Sequence, residues 1–387
     1  MVTSDLAVFM ISTDPQLLQE ADETGVIARH RAYAAQVATL DILVIGGTTA
    51  GIIQRPVNNC TIYATGGKTI RSLLRARSQA RTIVSRRHYN LIVTQDPHLT
   101  AWIGMHLQQR LQIPLLIDFH GDFLNNRHWL QESFRHRLYA IMQEKSIRRA
   151  TGIRVVSFGI QEKLIAAKIP AEKIVVINTP INDGLFTAFD KQQRLLLEKL
   201  RFKYADKKML LFVGRFVPAK NLLFILDVMK DIVVHEPNAV LLLIGEGELK
   251  HALENGIKER GLDAHVRIIG HKQPAELVAY YRLASIVLLL STNESLGKVI
   301  IEAGLAGTPA LASETTGARN IIDDGATGFL VPINDRLATV DVLREMMEYT
   351  DQTASLGATA RERYQTRYSY AKTVLAIVNF WLKIAQK

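Results

Sequence analysis

The sequence has little cysteine, few aromatic residues and no long hydrophobic run. Cys60 is the single cysteine among 387 residues, so the chain cannot form an internal disulfide, and a reducing compartment is expected. No apolar run approaches the roughly 20 residues that a membrane-spanning helix needs. The first residues, Met1 to Asp5, lack the basic and apolar segments of a signal peptide. We therefore expect a cytoplasmic protein that is at most peripheral at the inner face of a membrane.

The sequence also lacks the patterns that are typical of metal and dinucleotide sites. No histidine or cysteine cluster has metal-ligand spacing, so we expect no metal held by the protein. Gly66-Gly67-Lys68-Thr69 is similar to the end of a P-loop, but Ile62 stands where that motif requires glycine. Gly245-Glu246-Gly247 follows a predicted strand, but Lys250 replaces the third glycine of a dinucleotide fingerprint. Neither segment indicates a cofactor site, and no tightly bound cofactor is expected.

Positive charge exceeds negative charge and is unevenly distributed. The net charge is +10, the segment from Lys68 to His88 has no acidic residue, and a second basic segment runs from Arg127 to Arg154. Such clusters attract nucleic acid, anionic lipid or polyanionic substrates, and a solvated helix face is the alternative. Few aromatic residues lie among these arginines and no base-reading motif is present, so we expect no nucleic acid. If the charge has a partner, we expect an anionic membrane surface or an anionic acceptor. The arginines assigned to this patch are Arg71, Arg75, Arg81, Arg86 and Arg87.

Apolar segments predict strands and helices in alternation, in two similar halves. The fold class is therefore α/β, with parallel sheets covered by helices on both faces. In the first half, a helix is predicted from Val26 to Leu40. Turn-forming residues from Asn178 to Gly184 separate the halves. We predict a first domain over residues 1–185, a linker over 186–207, a second domain over 208–368, and a C-terminal helix over 369–387 that returns to the first domain.

The segment from Ser291 to Ala303 follows a predicted buried strand and opens a helix. Ser295 is predicted as the N-cap, and Gly297 lets a ligand approach the first turn. The unpaired N–H groups and the positive dipole end of a helix N-terminus suit a diphosphate. Glu302 follows Glu294 by a distance of about 12 Å along the helix axis. The two carboxylates can bind hydroxyls on either side of a diphosphate; an N-terminal dipole partner and an unrelated helix glutamate are the alternative.

A second segment, from Val213 to Asn221, also lies at a strand end before a helix. Its cations Arg215 and Lys220 can supply charge to a leaving diphosphate where a metal ion would otherwise do so. Two surface cations in a loop are the alternative interpretation. Both segments follow strands of the same predicted sheet, which favours a shared site.

Together these residues resemble the family 4 retaining glycosyltransferases of GT-B fold. The resemblance is dense from about residue 210 to 332 and thinner in the first half. In the second half it rests on Gly214-Arg215 with Lys220, Gly245-Glu246-Gly247, Gly270, the Glu-x7-Glu pair Glu294 and Glu302, Gly304, Gly307-Thr308-Pro309, Gly317 and the segment from Gly325 to Pro332. In the first half it rests on His120, Val155-Val156-Ser157 and Pro180.

The resemblance implies two Rossmann-like domains facing each other across a cleft. It also implies metal-independent, retaining transfer from a UDP- or GDP-sugar to a glycan, lipid-linked or polysaccharide acceptor. The implied catalytic residues are His120, Glu294, Arg215 and Lys220. The implied donor-binding residues are Gly214, Arg215, Lys220, Gly245, His271, Lys272, Glu294, Ser295, Leu296, Gly297, Lys298, Val299 and Glu302. On the acceptor side the resemblance implies Gly25 and His120.

Three positions depart from the family pattern. Leu296 stands where the family usually has phenylalanine, Asn320 replaces a common glutamate, and the glycine-rich loop after the first strand is reduced to Gly25. Two other classes of function stay open. An epimerase or a phosphorylase of the same fold would change a sugar nucleotide without an acceptor or consume inorganic phosphate. A non-catalytic subunit would bind the nucleotide sugar and show neither transfer nor hydrolysis.

Overall fold

A computed structural model describes residues 5–19, 25–48, 50–67, 70–124, 130 and 133–387, without the side chains of residues 54–56 and 70–73. The chain forms two compact units, Met1–Pro180 with Ala371–Lys387, and Ile181–Tyr370. Residues 186–207, the predicted linker, belong to the second unit and carry helices.

The first unit is built on a sheet that has eight strands in the described part of the chain. They are β1 (Ala7–Ser12), β2 (Thr39–Val44), β3 (Ala50–Val57), β4 (Cys60–Thr65), β5 (Leu91–Thr94), β6 (Leu115–Phe119), β7 (Gly152–Val155) and β8 (Ile174–Val176). Their order is β3-β4-β2-β1-β5-β6-β7-β8, and β3 is antiparallel to β4 whereas the other neighbours are parallel. Strand β3 was not predicted from the sequence, because Gly51, Gln54 and Pro56 interrupt its apolar pattern.

Helices connect most of these strands. They are α1 (Val26–Ala34), α2 (Ile70–Arg86), α3 (Leu99–Leu111), α4 (Phe134–Arg149) and α5 (Phe158–Ala166). The predicted helix from Val26 to Leu40 is too long: α1 ends at Ala34, and Leu40 instead pairs with Val8 of β1 and Cys60 of β4. The apolar residues before Leu40 fit a helix period, but the last two residues of the predicted helix, Thr39 and Leu40, belong to strand β2.

The second unit is built on a parallel sheet of six strands in the order β11-β10-β9-β12-β13-β14. The strands are β9 (Lys208–Val213), β10 (Ala239–Ile244), β11 (Val266–Gly270), β12 (Ile286–Leu289), β13 (Ala310–Ser313) and β14 (Gly328–Val331). The strand order reverses between β9 and β12. In open sheets of this kind, ligands bind beyond the carboxyl ends of the strands at that reversal.

The helices of the second unit cover this sheet. They are α6 (Gly184–Thr187), α7 (Lys191–Lys203), α8 (Leu222–His235), α9 (Lys250–Glu259), α10 (Pro274–Leu283), α11 (Lys298–Ala306), α12 (Ala318–Ile321), α13 (Arg336–Glu348) and α14 (Thr350–Arg367).

The C-terminal helix α15 (Tyr370–Ala385) packs within the first unit. Trp381 is fully buried, and its ring centroid lies 5.2 Å from that of Tyr33. A Cβ atom at Gly152 would overlap the side chain of Ile384, so glycine at that position lets the helix approach β7. Of the helices in the described ranges, none combines the length and the apolar character needed to cross a bilayer.

Candidate functional site

The two segments singled out in the second half follow β9 and β12, the strands between which the sheet order reverses. Backbone and side-chain hydrogen bonds join the two loops. The Asn221 side-chain amide donates to the Leu290 carbonyl at 3.1 Å, and the Thr292 N–H donates to the Ala219 carbonyl at 3.0 Å. The loops therefore form one surface at the position where this type of sheet binds ligands.

Lys220 and Glu294 meet on this surface. The Lys220 ammonium donates to Oε2 of Glu294, and their side chains are 18% and 17% exposed. Arg215 is exposed, and its guanidinium has no hydrogen bond or ion pair with another residue of the described ranges. Lys220 is thus held by Glu294, while Arg215 is open to an anionic ligand.

The N-terminus of α11 opens onto the same loop. Its N-cap is Gly297, with φ 76°, so the prediction of Ser295 as N-cap was wrong. Glycine adopts this left-handed conformation without steric cost, whereas serine caps a helix from an extended conformation. Among the described residues no side chain caps this helix, and the Ile300 N–H donates to the Gly297 carbonyl at 2.8 Å, so the N–H groups of Lys298 and Val299 are left for an anion. Leu296 is buried beside Gly297, and the Glu294 carbonyl accepts from the Gly317 N–H at 2.7 Å.

Gly245 supports the loop that carries Arg215. It has φ 147°, and a Cβ atom there would overlap the carbonyl oxygen of Gly214. The close approach allows the Phe216 N–H to donate to the Glu246 carbonyl at 2.8 Å. The segment Gly245-Glu246-Gly247, which does not match a dinucleotide fingerprint, therefore packs the loop after β10 against the loop after β9.

Glu302 lies on α11, and both its carboxylate oxygens have partners. The buried Tyr281 hydroxyl, on α10, donates to Oε2 at 2.8 Å, and the half-exposed Lys298 ammonium lies 2.9 Å from Oε1. Burial, and then Glu302, raise the pKa of Tyr281 well above its usual value, so the phenol keeps its proton and donates. Sequence spacing did not reveal Tyr281, because it lies on a different helix from Glu302. In the described residues, no hydrogen bond or ion pair joins Glu302 to the Lys220–Glu294 pair.

The remaining predicted donor residues lie at neighbouring strand ends. His271 and Lys272 follow β11; His271 is exposed, and the Lys272 ammonium donates to Glu276 at 3.4 Å. Ser295 and Val299 are half-buried on either side of the α11 N-terminus. Their contacts with a donor stay a prediction.

In the first unit, His120 follows β6 and lies beside a buried ion pair. Arg154 of β7 donates through Nε to Oδ1 of Asp118 at 2.9 Å, and its Nη2 lies 3.4 Å from Nε2 of His120. Burial, followed by the positive charges of Arg154 and Arg29, lowers the pKa of His120 well below its usual value. The imidazole of His120 is therefore neutral at neutral pH. The His120 side chain is 33% exposed. Strand alternation places residues 118 and 120 on one face, and this signal could have identified Asp118.

A polar chain lies where the order of the first sheet reverses, between β1 and β5. Ser12 donates to Oε1 of Gln95 at 2.6 Å, and Nε2 of Gln95 lies 3.1 Å from Nε2 of the fully buried His30. Nδ1 of His30 lies 2.8 Å from the Val26 carbonyl. Gly25, predicted on the acceptor side, is the N-cap of α1, and no side chain of the described residues caps this helix. This chain of polar side chains was not predicted from the sequence.

The predicted anion patch lies mainly on α2. Arg75, Arg81 and Arg86 are exposed, and the Arg87 guanidinium forms an ion pair with the buried Asp41 at 3.4 Å. The side chain of Arg71 lies outside the described residues. The exposed arginines of α2 thus present positive charge to solvent.

Two family profiles match the chain. The profile described as "Glycosyl transferases group 1" matches residues 197–363, and that described as "Glycosyl transferase 4-like domain" matches residues 26–180. An uncharacterized glycosyltransferase of Methanocaldococcus jannaschii is 23% identical over 306 residues, which cover 79% of this chain and 78% of that protein. The capsular polysaccharide biosynthesis glycosyltransferase CapM of Staphylococcus aureus is 25% identical over 243 residues, 62% of this chain and 63% of that protein.

A solved structure extends the likeness to nearly the whole chain. HepE of Anabaena in complex with UDP has a TM-score of 0.74 and 18% sequence identity, and the match covers 97% of this chain and 99% of that one. The same protein has also been solved with UDP-glucose. This likeness and the two sheets, which are parallel apart from β3, confirm the predicted GT-B fold.

Proposed function

Because the chain belongs to the group 1 glycosyltransferases, with a glycosyl transferase 4-like first half, we propose that it transfers a sugar from a UDP- or GDP-sugar with retention of anomeric configuration. The acceptor is a glycan, a lipid-linked sugar or a polysaccharide. The observation that carries the proposal is the Lys220–Glu294 ion pair beside the uncapped N-terminus of α11. The UDP and UDP-glucose bound to HepE, and the role in capsular polysaccharide synthesis in the name of CapM, support the donor and acceptor classes.

The cations and the helix N-terminus stabilise the leaving diphosphate. The Lys220 ammonium has three N–H donors, so it can keep its bond to Glu294 and still donate to a phosphate oxygen. The exposed Arg215 offers a planar fork of donors that matches phosphate. The first-turn N–H groups after Gly297 add fixed dipoles that need no reorganisation when negative charge develops.

The carboxylates position the donor. Glu294, held by Lys220, accepts hydrogen bonds from hydroxyls of the transferred sugar, and Glu302, held by Tyr281, accepts from the ribose. In the transfer step, the bond between the anomeric carbon and the phosphate oxygen breaks and the acceptor oxygen bonds to that carbon from the same face. The acceptor proton passes to a phosphate oxygen of the departing nucleotide. We assign the neutral imidazole of His120 a hydrogen bond to the sugar or acceptor, as the family resemblance implies.

The test uses Glu294→Ala and Arg215→Ala in separate proteins, with Arg344→Ala, an exposed arginine of α13, as the matched control. We expect transfer to fall by about 100-fold or more in both variants, since each removes a transition-state contact. Nucleotide affinity should fall mainly in the arginine variant, and the control should resemble the wild type. Wild-type turnover in both variants would remove the assignment of the site.

The donor and the reaction type are accessible to two direct measurements. Nucleotide sugars that bind the folded protein raise its thermal unfolding midpoint, so a panel of UDP- and GDP-sugars identifies the donor. NMR of the product then reports the anomeric configuration. A changed sugar nucleotide without an acceptor, or a requirement for inorganic phosphate, would indicate an epimerase or a phosphorylase instead.

We also place the protein at the cytoplasmic face of an anionic membrane. The exposed arginines Arg75, Arg81 and Arg86 of α2 support this location, because anionic lipid attracts clustered arginine. Lipid-linked acceptors would be accessible there.

A further inference from the structure

Helix α4 exposes large apolar side chains to solvent. Phe134, Leu138 and Ile141 are 83%, 57% and 58% exposed. Their spacing of four and three residues places them on one side of the helix, within about 60° at ~100° per residue. The three side chains, called here the α4 stripe, therefore form a continuous apolar strip about two turns long.

The stripe points away from the core of the first unit. The buried residues of α4 are Gln143, Ser146 and Ile147, and Gln143 lies about 180° around the helix from Phe134. On the inner side, the ring of Tyr139 stacks on His98 with centroids 4.9 Å apart. Since this inner face already attaches the helix to its unit, packing of that unit does not explain the outer apolar face.

Positive charge flanks the α4 stripe on both sides. The exposed Arg137 and Arg148 lie about 50–70° to one side of the stripe axis and the exposed Arg149 about 50° to the other, while the exposed Lys145 continues the line of the stripe beyond Ile141. The single acidic residue of α4 is Glu144, which is neutralised by Arg148 at 3.1 Å. An apolar centre between cationic borders is the pattern of a helix that lies in the interface of a membrane.

The arginines of α2 belong to the same side of the first unit. Arg77 of α2 stacks over the ring of Trp102 on α3, at 5.8 Å from its centroid. On the other side of α3, the Gln108 amide donates to the carbonyl of Arg149, the last residue of α4, at 3.4 Å. Helix α3 therefore lies between α2 and α4, so their charges form one basic surface.

We propose that α4 lies flat on an anionic lipid bilayer, with the α4 stripe inserted among the upper acyl chains and the flanking cations against lipid phosphates. We infer an anionic lipid from charge complementarity. Cations lie on both sides of the α4 stripe, and Glu144, the one acidic residue of α4, is already paired with Arg148. The inference deepens the proposed membrane location. It names the element that inserts and does not depend on the donor or on the transfer chemistry.

The experiment is sedimentation of the full chain with vesicles of phosphatidylcholine alone or with phosphatidylglycerol added. The first variant combines Phe134→Ser, Leu138→Ser and Ile141→Ser. The matched control is Phe202→Ser on α7, which removes another exposed aromatic residue, 88% exposed, from the second unit. A third protein combines Arg137→Glu and Lys145→Glu. Thermal unfolding of each protein verifies that the substitutions leave the fold intact.

We expect the wild type and the Phe202→Ser control to bind only the vesicles that contain phosphatidylglycerol, and added salt to weaken this binding. The triple serine variant and the charge-reversal variant should each bind these vesicles at least about tenfold more weakly than the wild type. Failure of the wild type to bind anionic vesicles, equal binding to neutral vesicles, or wild-type binding by the serine variant would overturn the proposal. Self-association of the wild type that the serine variant abolishes without lipid would also overturn it, since the stripe would then be a protein interface.

The same proteins separate this inference from the proposed function. Binding of UDP and of UDP-sugars, measured without vesicles, should be equal in the wild type and the serine variant. If no protein binds a nucleotide sugar but the vesicle results hold, the proposed function fails and the role of α4 stands.

Discussion

The Lys220 ammonium donates to the Glu294 carboxylate, and these residues, 74 positions apart in the chain, follow the two strands between which the sheet order reverses. The pair does more than neutralise two charges. It fixes a carboxylate and a cation side by side next to the open N-terminus of α11. A diphosphate and the sugar attached to it need that combination, since one part of the ligand is an anion and the other is a set of hydroxyl donors.

Removal of the lysine charge should affect transfer far more than stability. For Lys220→Met we expect a loss of about 100-fold or more in kcat, because a cation at the leaving group acts mainly in the transition state. The free energy of unfolding should fall by about 1–2 kcal/mol, since the substitution leaves the carboxylate of Glu294, whose side chain is 17% exposed, without its partner. Steady-state kinetics and urea unfolding measure the two quantities.

The double variant Lys220→Met with Glu294→Gln is the control for this pair. It removes both charges, so no unpaired carboxylate is left, and its unfolding free energy should be close to that of the wild type. Its kcat for transfer should be as low as that of the less active of the two single variants. A kcat within a few-fold of wild type for Lys220→Met would contradict the role of the lysine.

The position of this candidate site at the edge of the second sheet could be predicted from the sequence because the signals are local. Gly214 and Arg215 follow β9 directly and Glu294 lies five residues after β12, and the strand-loop-helix pattern places such residues at one edge of a parallel sheet. The N-cap was misassigned to Ser295, because propensity favours serine whereas the backbone there needs the left-handed conformation of Gly297.

The parts that the sequence did not predict depend on contacts between distant elements. Arg154 pairs with Asp118 only because β6 and β7 align these two positions in register. Tyr281 reaches Glu302 from another helix, and no spacing rule connects them. Register and helix packing arise from the whole core, so a single sequence without relatives holds no direct signal for them.

Gly245 should tolerate no side chain. In Gly245→Ala the new methyl group would overlap the Gly214 carbonyl, so the loop that carries Arg215 must move. We expect a loss of about 2–4 kcal/mol in unfolding free energy, from overpacking added to backbone strain. Nucleotide binding should weaken as well, because the loop is displaced.

Gly325→Ala provides the comparison for backbone strain alone. Gly325 has φ 71°, and nothing lies within 4 Å of an added Cβ atom. Its cost should be about 1–2 kcal/mol, without an effect on nucleotide binding. Equal urea midpoints for the two alanine variants would show that the contact of Gly245 with Gly214 does not constrain the loop.

Tyr281 should act as a positioning residue for Glu302. Tyr281→Phe removes the donated hydrogen bond and should cost about 1 kcal/mol of stability. If Glu302 binds the ribose, KM for the donor should rise several-fold while kcat changes little. Tyr364→Phe is the matched control, because its buried hydroxyl donates to the Ile321 carbonyl at 3.1 Å instead of to Glu302. An equal rise in KM in both variants would indicate a general loss of stability instead of lost positioning.

The buried His30 should make the protein less stable in mild acid. Burial, and then Arg29, lower the pKa of His30 to about 3, whereas the unfolded chain has the ordinary value of 6.5. Between these two values the unfolded state binds more protons than the folded state, so stability falls as the pH drops from about 6.5 towards 3. Each tenfold difference in proton affinity is worth about 1.4 kcal/mol, so the loss over this range amounts to a few kcal/mol. Urea unfolding at pH 7.5, 6.5, 5.5 and 4.5 measures this slope.

His30→Gln isolates the contribution of His30 because glutamine does not titrate. The variant loses a hydrogen bond and should be less stable at pH 7.5, but its stability should fall less steeply as the pH drops. His251→Gln is the control, since that side chain is 94% exposed and its replacement should leave the slope unchanged. His120 also has a lowered pKa and contributes in the same direction, so the slope in His30→Gln should decrease without reaching zero. A slope in His30→Gln equal to that of the wild type would mean that His30 can be protonated in the folded state, and hence that the Ser12–Gln95–His30 chain does not hold the ring neutral.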